Sequence, residues 1–232
     1  MENTVILTRR RSLIIDCPAK LNLFLAVLGR RPDGYHNLAT IMQSISLSDT
    51  LSCVFNPTHN EIRIRCQYPN VPIDERNLAV KAINALAAIL GRKPAGKMTS
   101  PWPFGIEITI QKRIPVGAGL GGGSSDAAGI LRALTGIVGA KNSQLTAAAN
   151  AIGSDVAFCL KGGTRWCSSR GDIVGRNMPG VGFPFYILVS PGYEVSTAGV
   201  YHALRLKKKP EKNMEPNLKE LRKIFRLFTK RC

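Results

Sequence analysis

The stretch Pro115-Val116-Gly117-Ala118-Gly119-Leu120-Gly121-Gly122-Gly123-Ser124-Ser125-Asp126-Ala127-Ala128 constrains this chain more than any other. Five glycines fall within the seven positions 117–123, so the backbone there can turn sharply and approach a ligand without Cβ atoms in the way. The segment before it, Gly105 to Lys112, alternates apolar and polar residues and reads as a strand. The segment after it, from Ala127, reads as a helix, with Ser124-Ser125-Asp126 expected to supply the N-cap. A glycine loop that opens a helix is an anion site, because free N–H groups and the positive end of the helix dipole point at the same spot. The spacing therefore predicts a phosphate-binding loop and argues against a linker.

Three common phosphate loops fail on particular residues. Gly117-Ala118-Gly119-Leu120-Gly121-Gly122 satisfies G-x-G-x-x-G, but no Asp or Glu lies between Asp126 and Asp155 to hold a dinucleotide ribose. The Walker loop needs a lysine before its Ser or Thr, and here the loop ends Gly-Gly-Ser-Ser. The protein-kinase glycine loop lies between two strands, whereas this one runs into an alanine-rich helix.

What remains resembles the second motif of the GHMP kinase superfamily of small-molecule kinases. Within it the closest likeness is to the branch that phosphorylates 4-diphosphocytidyl-2-C-methyl-D-erythritol. Cys17-Pro18-Ala19-Lys20-Leu21-Asn22 resembles the first motif of that branch, Gly29-Arg30-Arg31-Pro32-Asp33-Gly34-Tyr35-His36 its substrate signature, and Gly153-Ser154-Asp155-Val156-Ala157-Phe158 the segment of its catalytic aspartate. The likeness runs from about residue 13 to about residue 201. It implies an α+β fold of two domains: an N-terminal, ribosomal-protein-S5-domain-2-like ATP domain at 1–165, and an incomplete α/β substrate domain with a basic tail at 166–232.

The resemblance also assigns roles. Pro115, Val116, Gly117, Ala118, Gly119, Leu120, Gly121, Gly122, Gly123, Ser124 and Ser125 would cradle ATP, with Asn77 near its nucleoside. Asp155 would take the proton of the acceptor hydroxyl, although from the residues alone it reads as a helix-capping aspartate. Lys20 would balance charge beside it. Asn22, two positions on along a strand and so on the same side, would contact substrate. Tyr35, His36 and Tyr201 would read and sandwich the cytosine of a cytidine diphosphate substrate. Mg²⁺ is implied by phosphoryl transfer, with Ser124 or Ser125 as contacts; no carboxylate cluster marks a metal site. A homoserine or mevalonate acceptor is the alternative within the superfamily, and Tyr35-His36 argues against it.

The net charge is +17, and residues 203–232 hold eleven Lys or Arg against three Glu, so +8 lies in that stretch and +9 in the rest. A positive cleft suits anionic ligands. A non-catalytic basic protein that binds nucleotide or nucleic acid is the competing reading, but the basic residues do not interleave with aromatics in a nucleic-acid motif. No apolar run reaches the roughly 20 residues of a membrane span, and six scattered cysteines without a C-x-x-C pair read as reduced thiols in a cytoplasmic protein. No glycine follows Gly199, so the third glycine motif of the superfamily is missing, and the chain is expected to be C-terminally truncated and weakly active or inactive by itself. Further expected elements are strands at 12–18, 22–28, 41–47, 50–55, 61–66 and 183–189, and helices at 77–91, 142–152 (capped by Ser143) and 217–228. A surface loop is expected at 93–104.

Overall fold

A computed structural model describes residues 7–93, 96, 98–178 and 185–189. Two long antiparallel strands form its spine: β1 (Arg11–Arg30) and β2 (His36–Asn56) pair along their whole length. The sequence suggests two shorter strands in each; the structure joins them and absorbs the breaks as register shifts at Pro18/Lys20, Asn22/Phe24 and Val27/Gly29. Such shifts bend a strand and re-aim its side chains. The first of them leaves Ala19 and Lys20 both buried.

β2 is shared between two sets of neighbours. Its second half, from Thr50 to Asn56, pairs antiparallel with β4 (Gly105–Gln111), which pairs parallel with β3 (Ile62–Cys66). Its first half, from Leu38 to Gln43, pairs with β5 (Thr164–Ser169), followed by β6 (Ile173–Asn177). All six strands belong to one sheet, and the expected domain boundary after residue 165 falls inside β5.

Helices α1 (Leu78–Ile89), α2 (Gly122–Val138), α3 (Asn142–Ile152) and α4 (Ser154–Lys161) complete the described residues. The alanine-rich sequence of α2 lets it approach the sheet closely. Gly129 lies where a Cβ would come within 2.5 Å of Cys17 Sγ and 3.0 Å of Leu51 Cδ1. Around this contact the core gathers Leu51, Phe55, Ile83, Leu86, Ile106, Ile108, Ile130 and Phe158. Burial pushes the thiols of Cys53, Cys159 and Cys167 up to about 12, so they stay protonated among apolar neighbours.

Four local expectations need correction. The segment 93–104 is not wholly a surface loop: Trp102 and Phe104 stack with centroids 6.0 Å apart, and Phe104 meets Phe55 edge-on inside the core. Lys141, not Ser143, caps α3, and its N–H donates to Gln144 Oε1 at 2.8 Å. Residues 185–189 form no strand; Tyr186 instead donates its hydroxyl to Gln43 Oε1 at 2.7 Å. The helix after the glycine loop begins at Gly122, two residues before the first of the capping residues the sequence suggests. The helix expected at 217–228 lies outside the described residues.

Gly129→Ala tests the α2–sheet approach. The helix-propensity gain of about 1 kcal/mol is opposed by overpacking of about 1–3 kcal/mol, so chemical denaturation should show a net loss. A variant at least as stable as wild type contradicts the packing.

Candidate active site

The glycine loop is built by alternation of backbone hand. Gly117, Gly119 and Gly121 all have left-handed φ values of 71–72°, which other residues adopt only under strain. Gly121 is also the N-cap of α2, and no side chain caps that helix. Its first-turn N–H groups therefore remain open to an anionic ligand. The loop rests on Lys20: the Lys20 N–H donates to Leu120 O at 2.9 Å, and a Cβ on Gly121 would stand 2.9 Å from Lys20 Cγ.

Lys20 reaches past the loop to the other catalytic candidate. Its ammonium lies 3.4 Å from Asp155 Oδ2, with the lysine side chain 8% and the aspartate 35% exposed. It also donates to Asn22 Oδ1 at 3.3 Å, which bears out the shared face of the strand. Asp155 stands in the first turn of α4, where the helix dipole favours a carboxylate. Three segments distant in the chain, 20–22, 117–124 and 155, thus meet at one cavity of about 1160 Å³. Tyr35, His36 and Arg170 line the same cavity. Tyr201 lies outside the described residues.

The loop has a second side. A smaller cavity of about 230 Å³ is lined by Val71, Pro72, Asn77 and Leu78 together with the loop from Pro115 to Gly123. Asn77 lines this cavity, and its amide is already engaged: it donates to Pro72 O at 2.6 Å and accepts from Ala79 N–H at 2.8 Å as the cap of α1. Asn77 shapes this wall of the cavity. Ser125 is likewise committed. It is fully buried, and its hydroxyl donates to Pro18 O at 2.8 Å, whereas Ser124 lines the large cavity.

Beneath the loop lies a group that the sequence does not reveal. Lys112, at the end of the alternating strand pattern, is buried and donates to both Asp49 Oδ2 and Asp126 Oδ2, the latter at 3.0 Å. The other oxygen of Asp49 accepts from the N–H groups of Arg113 and Ile114 at 2.6 and 2.9 Å. Asp49 thereby fixes the entry of the loop and Asp126 its exit into α2, with the ammonium between them. Burial disfavours the Lys112 charge, but the two carboxylates outweigh it and raise the group above its ordinary range. Burial, with Asp49 adding to it against the pull of Lys112, pushes Asp126 up to about 6. Asp126 Oδ1 has no hydrogen-bond partner. Asp126 reads as a capping residue in sequence; here it is part of a buried charge cluster.

The arrangement is a glycine loop that opens a helix and faces a paired lysine and aspartate, and comparison with known proteins gives it a family. Residues 77–163 match the GHMP kinases N terminal domain, and this part of the chain is a GHMP kinase N-terminal domain. The 4-diphosphocytidyl-2-C-methyl-D-erythritol kinase of Syntrophomonas wolfei subsp. wolfei is 39% identical to it over 199 residues, 85% of this chain and 65% of that enzyme. The enzyme of the same name from Syntrophotalea carbinolica is 42% identical over 191 residues, 82% of this chain and 64% of that one. A crystal structure of 4-(cytidine 5'-diphospho)-2C-methyl-D-erythritol kinase is similar with a TM-score of 0.60 at 34% identity, covering 83% of this chain and 65% of the other. The chain spans just under two thirds of the length of these relatives.

The buried cluster has a signature in pH. Asp126 binds its proton more tightly in the folded chain, near pH 6, than when unfolded, where an aspartate titrates near pH 4. Its ionisation therefore opposes folding, and its contribution to stability falls as pH rises from about 4 to about 6 and is level above that. In denaturation across this window Asp126→Asn should lack that downward slope. Parallel pH profiles for variant and wild type contradict the assignment.

Proposed function

We propose that this chain carries the catalytic half of an ATP-dependent kinase that phosphorylates the C2 hydroxyl of 4-diphosphocytidyl-2-C-methyl-D-erythritol, a step of isoprenoid precursor synthesis. The observation that carries this reading is the Lys20–Asp155 pair at 3.4 Å, set in the cavity that the glycine loop borders. The likeness to enzymes of that name supports the choice of acceptor.

In this reading the loop N–H groups and the open first turn of α2 hold the ATP phosphates. The acceptor hydroxyl oxygen forms a bond to Pγ while the bond from Pγ to the β,γ-bridging oxygen breaks, and ADP leaves. Asp155 takes the hydroxyl proton. Lys20 keeps the carboxylate in place and balances negative charge that spreads over the transferring group. Asn22 acts through Lys20, which it hydrogen-bonds, and from the acceptor side of the cavity. Tyr35 and His36 hold the cytosine end, with Tyr201 as the second aromatic. The small cavity bounded by Asn77 takes the ATP nucleoside.

No group of three His, Cys, Asp or Glu able to hold a metal occurs among the described residues. Mg²⁺ would come with the nucleotide, neutralising phosphate charge, with Ser124 as the protein hydroxyl available to it. Ser125, fully buried and lining neither cavity, does not fit that role. No helix among the described residues is long and apolar enough to cross a membrane. We assign the protein to the cytoplasm on the reduced-thiol reading of its cysteines.

A coupled ADP-release assay with the cytidine diphosphate acceptor tests the assignment. Asp155→Asn should lower turnover by about 10²–10⁴-fold, and Lys20→Met by about 10²–10³-fold, with ATP binding retained in both. Turnover unchanged by Asp155→Asn removes that residue from the base role.

A further inference from the structure

Arg170 is absent from the residues that sequence reasoning singles out, yet it lines the large cavity. Its guanidinium carbon lies 4.9 Å from the centroid of the Tyr35 ring, over one face of it. Its Nη2 donates to Asp172 Oδ2 at 3.2 Å, and its own N–H donates to Asp172 Oδ1 at 3.1 Å. Side-chain exposures of 30% and 17% for the pair place it at the cavity mouth and partly out of water.

The two turns involved are joined a second time. Arg31 donates to Ser169 Oγ at 3.1 Å, and its own turn is closed by Arg31 N–H to Tyr35 O at 2.7 Å and Tyr35 N–H to Asp33 Oδ1 at 3.1 Å. Residues 31–35 and 169–172, far apart in the chain, are thereby fastened by one arginine from each side. The Arg170 charge is already matched by Asp172, and one of its faces is on the ring. An arginine held in this way is poorly suited to anchor a substrate anion and well suited to fix an aromatic plane. Tyr35 is 57% exposed and lines the large cavity, so its ring is not buried by the contact with Arg170.

We infer that Arg170, braced by Asp172, is a positioning residue that sets the plane of Tyr35 so that the ring's opposite face receives the pyrimidine of the acceptor. The inference rests on the cytidine reading above. A nucleobase then stacks on a ring that is already immobilised and pays less ordering entropy on binding. The cation on the far face also polarises the ring toward the stack. Because Arg170 acts through Tyr35, its loss affects acceptor binding and leaves the nucleotide loop alone.

The test is calorimetric titration with CDP, and separately with ATP, of wild type, Arg170→Met and Arg170→Lys, with the aromatic NMR signals of Tyr35 followed in each. Arg170→Met should weaken CDP binding by about 3–10-fold, the scale of one cation–aromatic contact, and shift the Tyr35 ring signals, with ATP affinity unchanged. Arg170→Lys should recover part of the CDP affinity, since the ammonium keeps the charge over the ring but loses the planar fork. Equal CDP binding by wild type and Arg170→Met overturns the role of Arg170 and leaves the cytidine reading standing. Wild-type protein that binds ATP but not CDP overturns the cytidine reading, and this role with it. Equal loss of CDP and ATP affinity in Arg170→Met also overturns it, in favour of a general structural effect.

Discussion

The buried Lys112 ammonium, shared between Asp49 and Asp126, is the interaction on which the glycine loop depends. A loop of glycines has no side chains with which to hold itself, so its shape must be imposed from its ends. Asp49 does so at the entry by accepting two consecutive backbone N–H groups, and Asp126 at the exit by anchoring α2 just past its first turn. Neither carboxylate is tolerable in the core without the ammonium, and the ammonium is not tolerable without them. Breaking such a buried pair by removing one partner is destabilising by about 3–5 kcal/mol. The cluster therefore ties the geometry of the anion site to the stability of the sheet that carries it.

The same sheet explains how distant residues converge. β2 pairs with β4 in one half and with β5 in the other, so the strand that delivers the glycine loop and the strand that delivers Arg170 share one backbone. β1 lies along both halves and carries Lys20 and Asn22 at its midpoint. The register shift at Pro18/Lys20 turns the lysine inward beneath the loop, where Asp155 from α4 meets it. The site is an outcome of strand pairing, with the loops placed by it.

Much of this was legible in the chain. The glycine run, its preceding alternation and its following alanines predicted a strand, a loop and a helix in that order, and the structure has them. Lys20 and Asn22 of one motif and Asp155 of another meet at one cavity, which Tyr35, His36 and Ser124 also line. What stayed hidden depends on long-range pairing. Asp49 reads as a polar residue between two strands, and Lys112 as the solvated end of another, because nothing local says that β2 and β4 place them together under the loop. Ser125 looks like an available ligand until the fold buries it against Pro18, and Asn77 until its amide is engaged by Pro72 O and Ala79 N–H. Trp102 and Phe104 sit among Pro and Ser residues whose composition says surface, yet their ring area goes into the core. The start of α2 was misplaced for a related reason. Capping residues usually mark a helix start, but here an uncapped start leaves the N–H groups open for a ligand.

The central claim is that the loop, Lys20 and Asp155 together transfer phosphate to an alcohol. The most direct test is to incubate the purified protein with ATP labelled at the γ-phosphoryl group and 4-diphosphocytidyl-2-C-methyl-D-erythritol, and then to ask where the label resides. The account predicts slow but measurable transfer, with label covalently bound to the acceptor in wild type and lost from it in Asp155→Asn. Label recovered only as inorganic phosphate, or retained wholly in ATP, contradicts it.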